Sequence, residues 1–334
     1  MTFNKEKLTE ILRLTAPAIQ ETSTLPSLQY ICFRDGKAMT TNLQLSIIID
    51  IDEKFTGLLP FKLLYAIIQN CDSDFIEIEE KEKAWILTDG IAKHKLGKSE
   101  EIKNFPAEPV FSSDNQVEFN EEMFINLQNA CKFEGVKTSG AEGCYIGEDI
   151  VGTNGIYIYK YKLGLNCSLH IPSLFVKSLN NKNGMLQYSN RFVSLKTDSC
   201  TYITTQLEAK YPKYNVAFEQ FEIIWNIKIN PQLLLNEINK IMAYLPTLPQ
   251  VGFSFKNNEC LITYTNIEFE QEYINTIPCL CSESYARFNI VQLQTVLSCF
   301  NGPEIEIAIT GPSKSVYLRE VNNQNTITLI QPVV

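Results

Sequence analysis

The sequence predicts an α+β fold in which one module occurs three times, each copy having two helices packed on antiparallel sheets. The first indication is a Thr-Asn pair that recurs at Thr41, Thr153 and Thr265, spaced 112 positions apart each time. Each pair opens a segment such as Gly152–Tyr161, whose alternating apolar and polar residues are typical of a half-buried strand. A fixed period along a whole chain indicates repeated structural units.

A helix with an Asn cap is predicted ahead of each Thr-Asn pair. The helix-period segments begin at Asn4, Asn120 and Asn230. An Asn side chain accepts a hydrogen bond from an otherwise unpaired N–H of the first turn, and Pro231 stands where that turn tolerates proline. The predicted first helices are 4–20, 120–133 and 230–244.

A second helix and a strand-rich tail complete each unit. The second helices are predicted at 60–70, 172–183 and 289–299. The tails Phe75–Glu79, Arg191–Leu195 and Glu304–Ala308 contain alternating residues, which favour antiparallel sheets with one face in water. We therefore predict three α+β domains of similar size, at 1–113, 114–218 and 219–334, near the most common domain size.

The composition is that of a globular protein, with 45% hydrophobic and 20% charged residues. No apolar run approaches the roughly 18 residues of a membrane-spanning helix. Charged residues such as Glu6, Lys7 and Arg13 interrupt the N-terminal region, where a secretory signal would be apolar. We expect a cytoplasmic protein with no membrane association.

The ten cysteines and two histidines do not form a pattern typical of a metal site. The sequence has no C-x-x-C pair, and His94 and His170 lack the spacing from cysteines that zinc sites show. We interpret the cysteines as small buried hydrophobes in a reducing compartment. No metal and no cofactor are expected.

The formal charge of −9 argues against a general nucleic-acid binder, but the charge is unevenly distributed. The six predicted helices together carry +3, so the remaining residues carry −12. Two interpretations stay open. The acidic strands are either an ordinary solvated sheet face or an acidic exterior that leaves the helices to face a polyanion.

Catalytic motifs are missing from the sequence. It has no G-x-S-x-G elbow, Walker loop, G-x-G-x-x-G or H-E-x-x-H. A hydrolase that uses carboxylates such as Asp149, next to Glu148, is the alternative from another functional class. A turn is the simpler interpretation of those residues, and we expect no enzyme.

Six short segments, in order along the whole chain, resemble the bacterial-type β sliding clamp of DNA polymerase III, in a divergent and phage-like form. They are Thr22–Leu28, similar to the family's T-L-P-I-L; Asn104–Pro109, similar to D-F-P-x-x-P; Val151–Gly155, similar to A-T-D-G; Lys210–Tyr214, similar to K/R-F-P-D-Y; Arg287–Leu297, similar to G-F-N-x-x-Y-L-x-x-x-L; and Leu329–Val334, similar to V-x-M-P-M-R.

The resemblance implies the DNA clamp fold and a ring made of two identical chains. Helices would line the hole and sheets would form the outer wall. Such a ring encircles duplex DNA without reading its sequence and acts as a processivity factor in DNA replication. The alternative is a three-repeat α+β scaffold that binds a partner peptide without encircling DNA.

The resemblance also implies a hydrophobic pocket between the second and third domains, which takes short peptides of polymerase and clamp-loader subunits. Carried over by motif, its residues are Thr153, Gly155, Ile156, Tyr157, Ile158, Pro212, Val216, Ala217, Leu329, Ile330, Gln331, Pro332, Val333 and Val334. An ordinary core role for Ile156 and Ile158 stays open. The family's His-Arg is Ile156-Tyr157 here, its Asp after the Pro is Lys213, and its terminal Arg-Leu is missing, so the pocket is expected to prefer a different peptide.

Two further sets of residues follow from the resemblance. The DNA-facing candidates are Lys5, Lys7, Arg13, Lys62, Lys132, Lys177, Lys182 and Lys240, each of which has an ordinary solvated charge as its alternative. The family's Arg before T-L-P is Thr22 here, so one phosphate contact is missing. For the seam between two chains we expect His94 and Leu96 to face the helix around Met242.

Overall fold

The computed structural model describes residues 1–20, 22, 24–99, 101–112, 115–180, 182–219, 222–244, 249–266, 269–311 and 314–333. It confirms the predicted α+β class, with short helices packed against antiparallel sheets. The chain divides into two compact units. Unit 1 contains 1–124 and 174–207, and unit 2 contains 125–173 and 208–334. Within the described residues, no helix is long and apolar enough to cross a membrane.

Among the described residues, six helices coincide with the predicted ones, with shorter ends, and one further short helix, Val216–Glu219, was not predicted. The helices are α1 (Lys5–Thr15), α2 (Phe61–Gln69), α3 (Glu121–Cys131), α4 (Ser173–Ser178), α5 (Val216–Glu219), α6 (Pro231–Met242) and α7 (Ile290–Leu297). The Asn caps are present as expected. The Asn4 side chain accepts a hydrogen bond from the Lys7 N–H, and Asn230 accepts from Gln232 and Leu233. Helix α4 ends at Ser178 instead of 183, because the Asn- and Gly-rich residues that follow favour turns.

Unit 1 contains two sheets. Their strands are β1 (Thr2–Asn4), β2 (Tyr30–Arg34), β3 (Lys37–Thr41), β4 (Leu45–Asp50), β5 (Gly57–Pro60), β6 (Phe75–Glu80), β7 (Ala84–Asp89), β8 (Ala92–Gly97), β9 (Gln116–Phe119), β14 (Gly184–Tyr188), β15 (Phe192–Lys196) and β16 (Cys200–Thr205). Among the described residues, one sheet has the order β1-β6-β7-β8 and the other has the order β5-β2-β3-β4-β16-β15-β14-β9.

Unit 2 repeats this arrangement. Its strands are β10 (Cys144–Ile146), β11 (Asp149–Thr153), β12 (Tyr157–Lys162), β13 (Leu169–Ile171), β17 (Ile227–Ile229), β18 (Gln250–Lys256), β19 (Glu259–Asn266), β20 (Gln271–Pro278), β21 (Leu280–Cys281), β22 (Ser284–Asn289), β23 (Ile305–Ile309), β24 (Val316–Glu320) and β25 (Thr326–Ile330). The larger sheet, in the described part of the chain, has the order β13-β10-β11-β12-β25-β24-β23-β17-β21, and the smaller has the order β20-β19-β18-β22.

The Thr-Asn pairs do not open strands, which corrects that detail of the prediction. Thr41 and Thr153 end β3 and β11, and the Asn that follows lies in the hairpin turn. The Asn154 side chain accepts hydrogen bonds from the N–H groups of Ile156 (2.9 Å) and Tyr157 (3.1 Å), as Asn42 does from Gln44 and Leu45. The repeated element is therefore an Asx turn that closes a hairpin.

The third copy has a longer turn. Asn266 is still the last residue of β19, and its side chain accepts from the Phe269 N–H at 3.4 Å. Thr265 pairs with Glu272, whereas Thr153 pairs with Ile158. Part of the predicted third strand, at 267–268, lies outside the described residues. In all three copies the Asn side chain accepts a hydrogen bond from a backbone N–H of the turn.

Each hairpin packs against the end of the first helix of its repeat. The Thr40 hydroxyl donates to the Thr15 carbonyl at 2.8 Å, at the end of α1. At the equivalent place, a Cβ added to Gly152 would lie only 1.8 Å from the Ala130 carbonyl oxygen of α3. Tyr264 occupies this place in the third copy, with its ring 6.1 Å from that of Tyr244. The three copies thus share one junction, filled by residues of different size.

Candidate protein-binding site and nucleic-acid face

One side of the nine-stranded sheet carries a row of apolar side chains. Ile158 pairs with Leu329, Leu329 with Tyr317, and Tyr317 with Ala308 across four neighbouring strands. These residues and Val151 form one buried cluster. We call this side of the sheet the Leu329 face. Since side chains alternate along a strand, the next row on this face lies two residues further on.

That next row is mostly charged. Lys160 pairs with Ile327, Ile327 with Arg319, Arg319 with Glu306, and Glu306 with Lys228. Arg319 donates to the Glu306 carboxylate through Nε at 2.8 Å and lies 2.7 Å from it through Nη2. Lys228 Nζ is 3.5 Å from the same carboxylate. The Leu329 face therefore changes from apolar to basic within about 7 Å, the rise of two strand residues.

The described residues 211–219 and 222–225, called here the aromatic segment, pack on the Leu329 face. Tyr211, Tyr214, Ala217, Phe218 and Trp225 pack against its buried cluster, as does Tyr145 from β10. The Ala217 carbonyl accepts a hydrogen bond from the Tyr317 hydroxyl at 2.8 Å. Sequence reasoning missed these aromatic residues, although an aromatic-rich stretch next to a predicted pocket could have indicated them.

Hydrogen bonds and cations fix the aromatic segment in place. The Tyr211 hydroxyl donates to the Val151 carbonyl (3.1 Å), and the Tyr214 hydroxyl donates to the Asp149 carboxylate (2.9 Å). Burial, and then the Asp149 hydrogen bond, raise the pKa of the Tyr214 phenol, so it stays a neutral donor. Asp149 is the carboxylate of the alternative hydrolase interpretation. Its side chain is only 5% exposed and already accepts a hydrogen bond from Tyr214.

Two cations also stack on rings of this segment. Lys160 Nζ lies 4.7 Å from the centre of the Phe218 ring, and the Arg319 guanidinium lies 4.1 Å from the centre of a Trp225 ring. A cation over an aromatic face is attracted by the negative electrostatic potential of the ring. These contacts hold both cations against the Leu329 face, where they border the apolar row.

The structure brings several of the predicted pocket residues together on this face. Ile158 and Leu329 are in its buried cluster, and Ala217 packs against it. Ile156 (46% exposed) and Val216 (47% exposed) stand at its border. Thr153 is buried, and its hydroxyl accepts from the Gly155 N–H and donates to the Tyr157 carbonyl. Pro212 is half-buried, and Gly155 is an exposed turn residue with φ +88°.

Two predicted pocket residues lie on the other side of the sheet. Tyr157 pairs with Ile330, and the Tyr157 ring packs on Phe133 at 5.0 Å. Their positions follow from strand alternation, since each is adjacent in sequence to Ile158 or Leu329. Tyr157 and Ile330 therefore lie on the side of the sheet opposite the Leu329 face.

The C-terminal tail is fixed by hydrogen bonds as far as it is described. The Gln331 N–H donates to the Ile156 carbonyl (3.3 Å), and its side-chain amide donates to the Ser315 hydroxyl (2.7 Å). The Val333 N–H donates to the Arg287 carbonyl at 2.7 Å. Pro332 and Val333 are half-buried, and Val334 lies outside the described residues.

The predicted DNA-facing cations all lie on or next to helices, but many have acidic neighbours. Lys7 contacts Asp52 at 2.7 Å, Arg13 contacts Glu10 at 2.7 Å, and Lys240 contacts Glu237 at 2.6 Å. The hydrogen bond from Arg13 lowers the pKa of the Glu10 carboxyl, so the acid stays charged beside it. The exposed pairs of Lys7 and Arg13 contribute little to stability, whereas Glu237 is buried. All three acids reduce the net positive charge that these helices present.

The other predicted cations vary in their surroundings. Lys5 donates to the Cys71 carbonyl and Lys182 pairs with Glu121. Lys132 Nζ donates to the Asn129 side chain at 2.9 Å and lies 3.3 Å from the Ser298 hydroxyl, in a groove whose other lining residues, in and next to α6 and α7, are uncharged. Lys62 and Lys177 are exposed on α2 and α4.

The predicted seam residues do not all lie on sheet edges. His94 and Leu96 belong to β8, an edge strand of the smaller sheet of unit 1. Met242 is the last residue of α6 and half-buried. Within the described ranges, no group of three His, Cys, Asp or Glu residues is arranged to hold a metal ion.

Comparison with known proteins gives matches at the level of structure alone. No protein-family model and no curated protein matches the chain. The DNA polymerase III β subunit of Thermotoga maritima superimposes with a TM-score of 0.84 at 13% identity, covering 100% of this chain and 98% of that one. The sliding clamp of Bacillus subtilis gives 0.88 at 17% identity, with 100% and 98% covered.

A third similar structure is the sliding clamp of Bartonella birtlesii bound to griselimycin. Its TM-score is 0.89 at 14% identity, covering 100% of this chain and 99% of that chain. At such low identity these likenesses establish the fold. The chain has the fold of the DNA polymerase III β sliding clamps over its full described length.

Proposed function

We propose that this chain is a DNA sliding clamp, a non-catalytic processivity factor that encircles duplex DNA as a homodimer and tethers a polymerase. The observation that carries the proposal is the likeness to sliding clamps, which covers 98–100% of both chains. The threefold repeat supports it, because repeated units that associate head to tail close into a ring when their rotations complete a turn.

The repeat also indicates where a second copy would join. In unit 1, β4 pairs with β16, and in unit 2 the equivalent β12 pairs with β25. By the same repeat, β20 is the equivalent of β4 and β12, and β8 is the equivalent of β16 and β25. Both β20 and β8 are edge strands of four-stranded sheets among the described residues. An unpaired edge readily pairs with a strand of another chain, so we place the seam between β8 of one copy and β20 of the other.

The hairpin registers fix which residues would face each other. Ser46 pairs with Thr41 and, across the strand junction, with Ile203. In the third repeat Glu272 takes the place of Ser46, because it pairs with Thr265. Ile203 is the fourth residue after the two-residue turn that precedes β16, and Lys95 is the fourth residue after the two-residue turn that precedes β8. Lys95 therefore takes the place of Ile203. Glu272 would therefore lie opposite Lys95.

Exposure supports this register independently. Lys93 and Lys95 are exposed on β8, and Glu272 and Ile274 are exposed on β20, so exposed residues meet exposed ones. His94 would then face Tyr273, both half-buried. The seam keeps His94 and Leu96 from the sequence prediction, and β20 replaces the helix around Met242 as their partner.

The helix surfaces suit a contact that slides. Clamps must hold DNA without reading its bases, so the contact depends on a weak attraction to phosphates. The Lys132 groove is lined by Leu235, Asn239, Gln294, Thr295 and Ser298, which offer neutral groups beside a single cation. The acidic neighbours of Lys7, Arg13 and Lys240 weaken the attraction further. Retention would therefore come from enclosure and not from affinity.

The topology of the DNA provides the test of the proposed function. The purified protein is diluted from high salt in the presence of a nicked plasmid, so that rings reassemble around the DNA. The complex is isolated by gel filtration and then treated with a restriction enzyme. We expect the protein to stay on the circle in about 0.5 M salt, which screens phosphate contacts, and to leave within seconds of linearisation. A complex that is unaffected by linearisation, or a monomer near 38.1 kDa that ignores DNA topology, would favour the scaffold alternative.

We also propose that the border of the Leu329 face is the pocket for partner peptides. Ile156→Asp should weaken ligand binding at least tenfold, because a charge replaces an exposed apolar contact without disturbing the core. Griselimycin, which is bound to the Bartonella birtlesii clamp, serves as the probe in isothermal titration calorimetry. The matched control is Leu233→Asp, an equally exposed leucine on α6. Equal affinity of wild type and Ile156→Asp would place the pocket elsewhere.

A further inference from the structure

The border of the proposed pocket is apolar at one end and basic at the other, and the binding of an apolar peptide does not explain the basic end. Exposed Ile156 comes directly before β12, and buried Ile158, Lys160 and Lys162 follow at alternate positions along that strand, on the Leu329 face. Lys213 adds a third cation directly after Pro212. A chain with a formal charge of −9 thus places Lys160 and Lys162 on the same strand face as Ile158 of the apolar row.

In the part of the chain that the structure describes, these lysines have few acidic neighbours. Lys160 has the Phe218 ring as its neighbour, and no carboxylate within that part forms an ion pair with Lys160, Lys162 or Lys213. Nearby acids are engaged by other groups. The Asp149 carboxylate accepts from Tyr214, and the Glu306 carboxylate is held by Arg319 and Lys228. The basic end of the face therefore keeps its positive charge available to a ligand.

We propose that the partner peptide of this pocket is acidic as well as apolar, with its apolar side chains on the Ile156 and Val216 border and its carboxylates at Lys160 and Lys162. This inference rests on the proposed peptide pocket and names the chemistry of the ligand. Ile156 and Lys160 are four residues apart, which is about 13 Å in extended chain. The carboxylates therefore lie about four extended residues from the apolar side chain at Ile156.

The expected preference is moderate and depends on salt. Exposed ion pairs are individually weak, so two of them should favour an acidic peptide over its neutral amide analogue by about fivefold at low salt. That advantage should fall as the salt concentration approaches 1 M, because the Debye length then shrinks to about 3 Å. The apolar contribution should remain.

A selection from a library of random twelve-residue peptides displayed on phage tests the proposal. The library is panned against wild type, against the double variant Lys160→Gln/Lys162→Gln, and against Ile156→Asp. We expect wild type to select apolar peptides enriched in Asp and Glu, and the double variant to select apolar peptides without that enrichment. The best acidic peptide and its amide analogue are then compared by fluorescence anisotropy at low and high salt.

The outcomes separate this inference from the proposed function. Neutral or basic peptides selected by wild type, and lost with Ile156→Asp, would overturn the acidic preference and leave the pocket in place. Peptides that bind wild type and Ile156→Asp equally would overturn both, since the pocket itself would then lie elsewhere. Selected acidic peptides whose affinity is unchanged in Lys160→Gln/Lys162→Gln would also reject the inference, because their carboxylates would bind at other cations.

Discussion

Gly152→Ala is expected to open the hairpin that carries the candidate pocket. A Cβ at this position would lie 1.8 Å from the oxygen, 2.5 Å from the carbon and 2.8 Å from the Cα of Ala130. All three are backbone atoms near the end of α3, so no side chain can rotate away, and strand or helix must move. Overpacking in a closed core costs about 1–3 kcal/mol, and more where backbone is involved. We expect about 3 kcal/mol or more here.

Hydrogen exchange measured by mass spectrometry reports this effect locally. Peptides from β11 and β12 should lose protection in Gly152→Ala, whereas peptides from β2 to β4 of unit 1 should not. Gly97→Ala is the control, since its Cβ would meet no atom of its own chain within 4 Å in a strand of ordinary backbone conformation. Because Gly97 ends the strand of the proposed seam, both variants are compared at a concentration where they have the same oligomeric state. Unchanged protection in β11 would mean that helix and strand are less closely packed than the structure shows.

The same junction shows which parts of the fold can be predicted from a sequence. The Asn caps and the period of 112 were recognisable because each is local or repeats unchanged. The contact partners of the junction were not, because Thr40, Gly152 and Tyr264 differ in size and only the packed structure shows what each one faces. Helix α4 ended earlier than predicted for a related reason, since its periodic signal runs on into turn-forming residues.

The candidate site was predictable only in outline. Motif resemblance selected residues of which several lie close together in the structure, but it treated consecutive residues as one surface. Strand alternation separates Ile158 from Tyr157 and Leu329 from Ile330, and the register that decides this is a tertiary property. The segment with Phe218 and Trp225 shows no repeat, so its position over the Leu329 face depends on long-range packing that the pattern of residues does not encode.

The burial of Leu329 also decides how the pocket can be probed. Leu329 and Ile330 are 2% and 0% exposed in a strand between β12 and β24. Deleting the residues from Leu329 onward would remove the end of this central strand together with any binding surface. A loss of binding could then result from unfolding of the sheet. Substitutions at the exposed border, at Ile156 and Val216, separate the two effects.

A charge swap across the seam is expected to open and then restore the ring. Lys95→Glu and Glu272→Lys each place like charges directly opposite in the proposed register, where like pairs destabilise a sheet and opposite pairs contribute about 0.2–1 kcal/mol. A two-fold dimer has two such seams, so one substitution acts twice. A loss of about 1 kcal/mol per seam raises the dimer dissociation constant about 30-fold.

Analytical ultracentrifugation and retention on nicked circular DNA measure the two consequences. Each single variant should dissociate at concentrations where wild type is dimeric and should leave the circle without linearisation. The double variant Lys95→Glu/Glu272→Lys should recover both properties, because the pair is restored with its signs exchanged. Lys83→Glu and Glu82→Lys are the controls, since both residues are exposed in the turn before β7 and outside the proposed seam.

The recovery in the double variant is the decisive part of this experiment. Changes in net charge alone would affect the single variants and the controls alike, because the whole chain is acidic. A register shifted by one residue would place Glu272 opposite His94 or Leu96, and the double variant would then be no better than the single ones. Recovery therefore requires Lys95 and Glu272 to face each other, as the pairings of β4 with β16 and β12 with β25 predict.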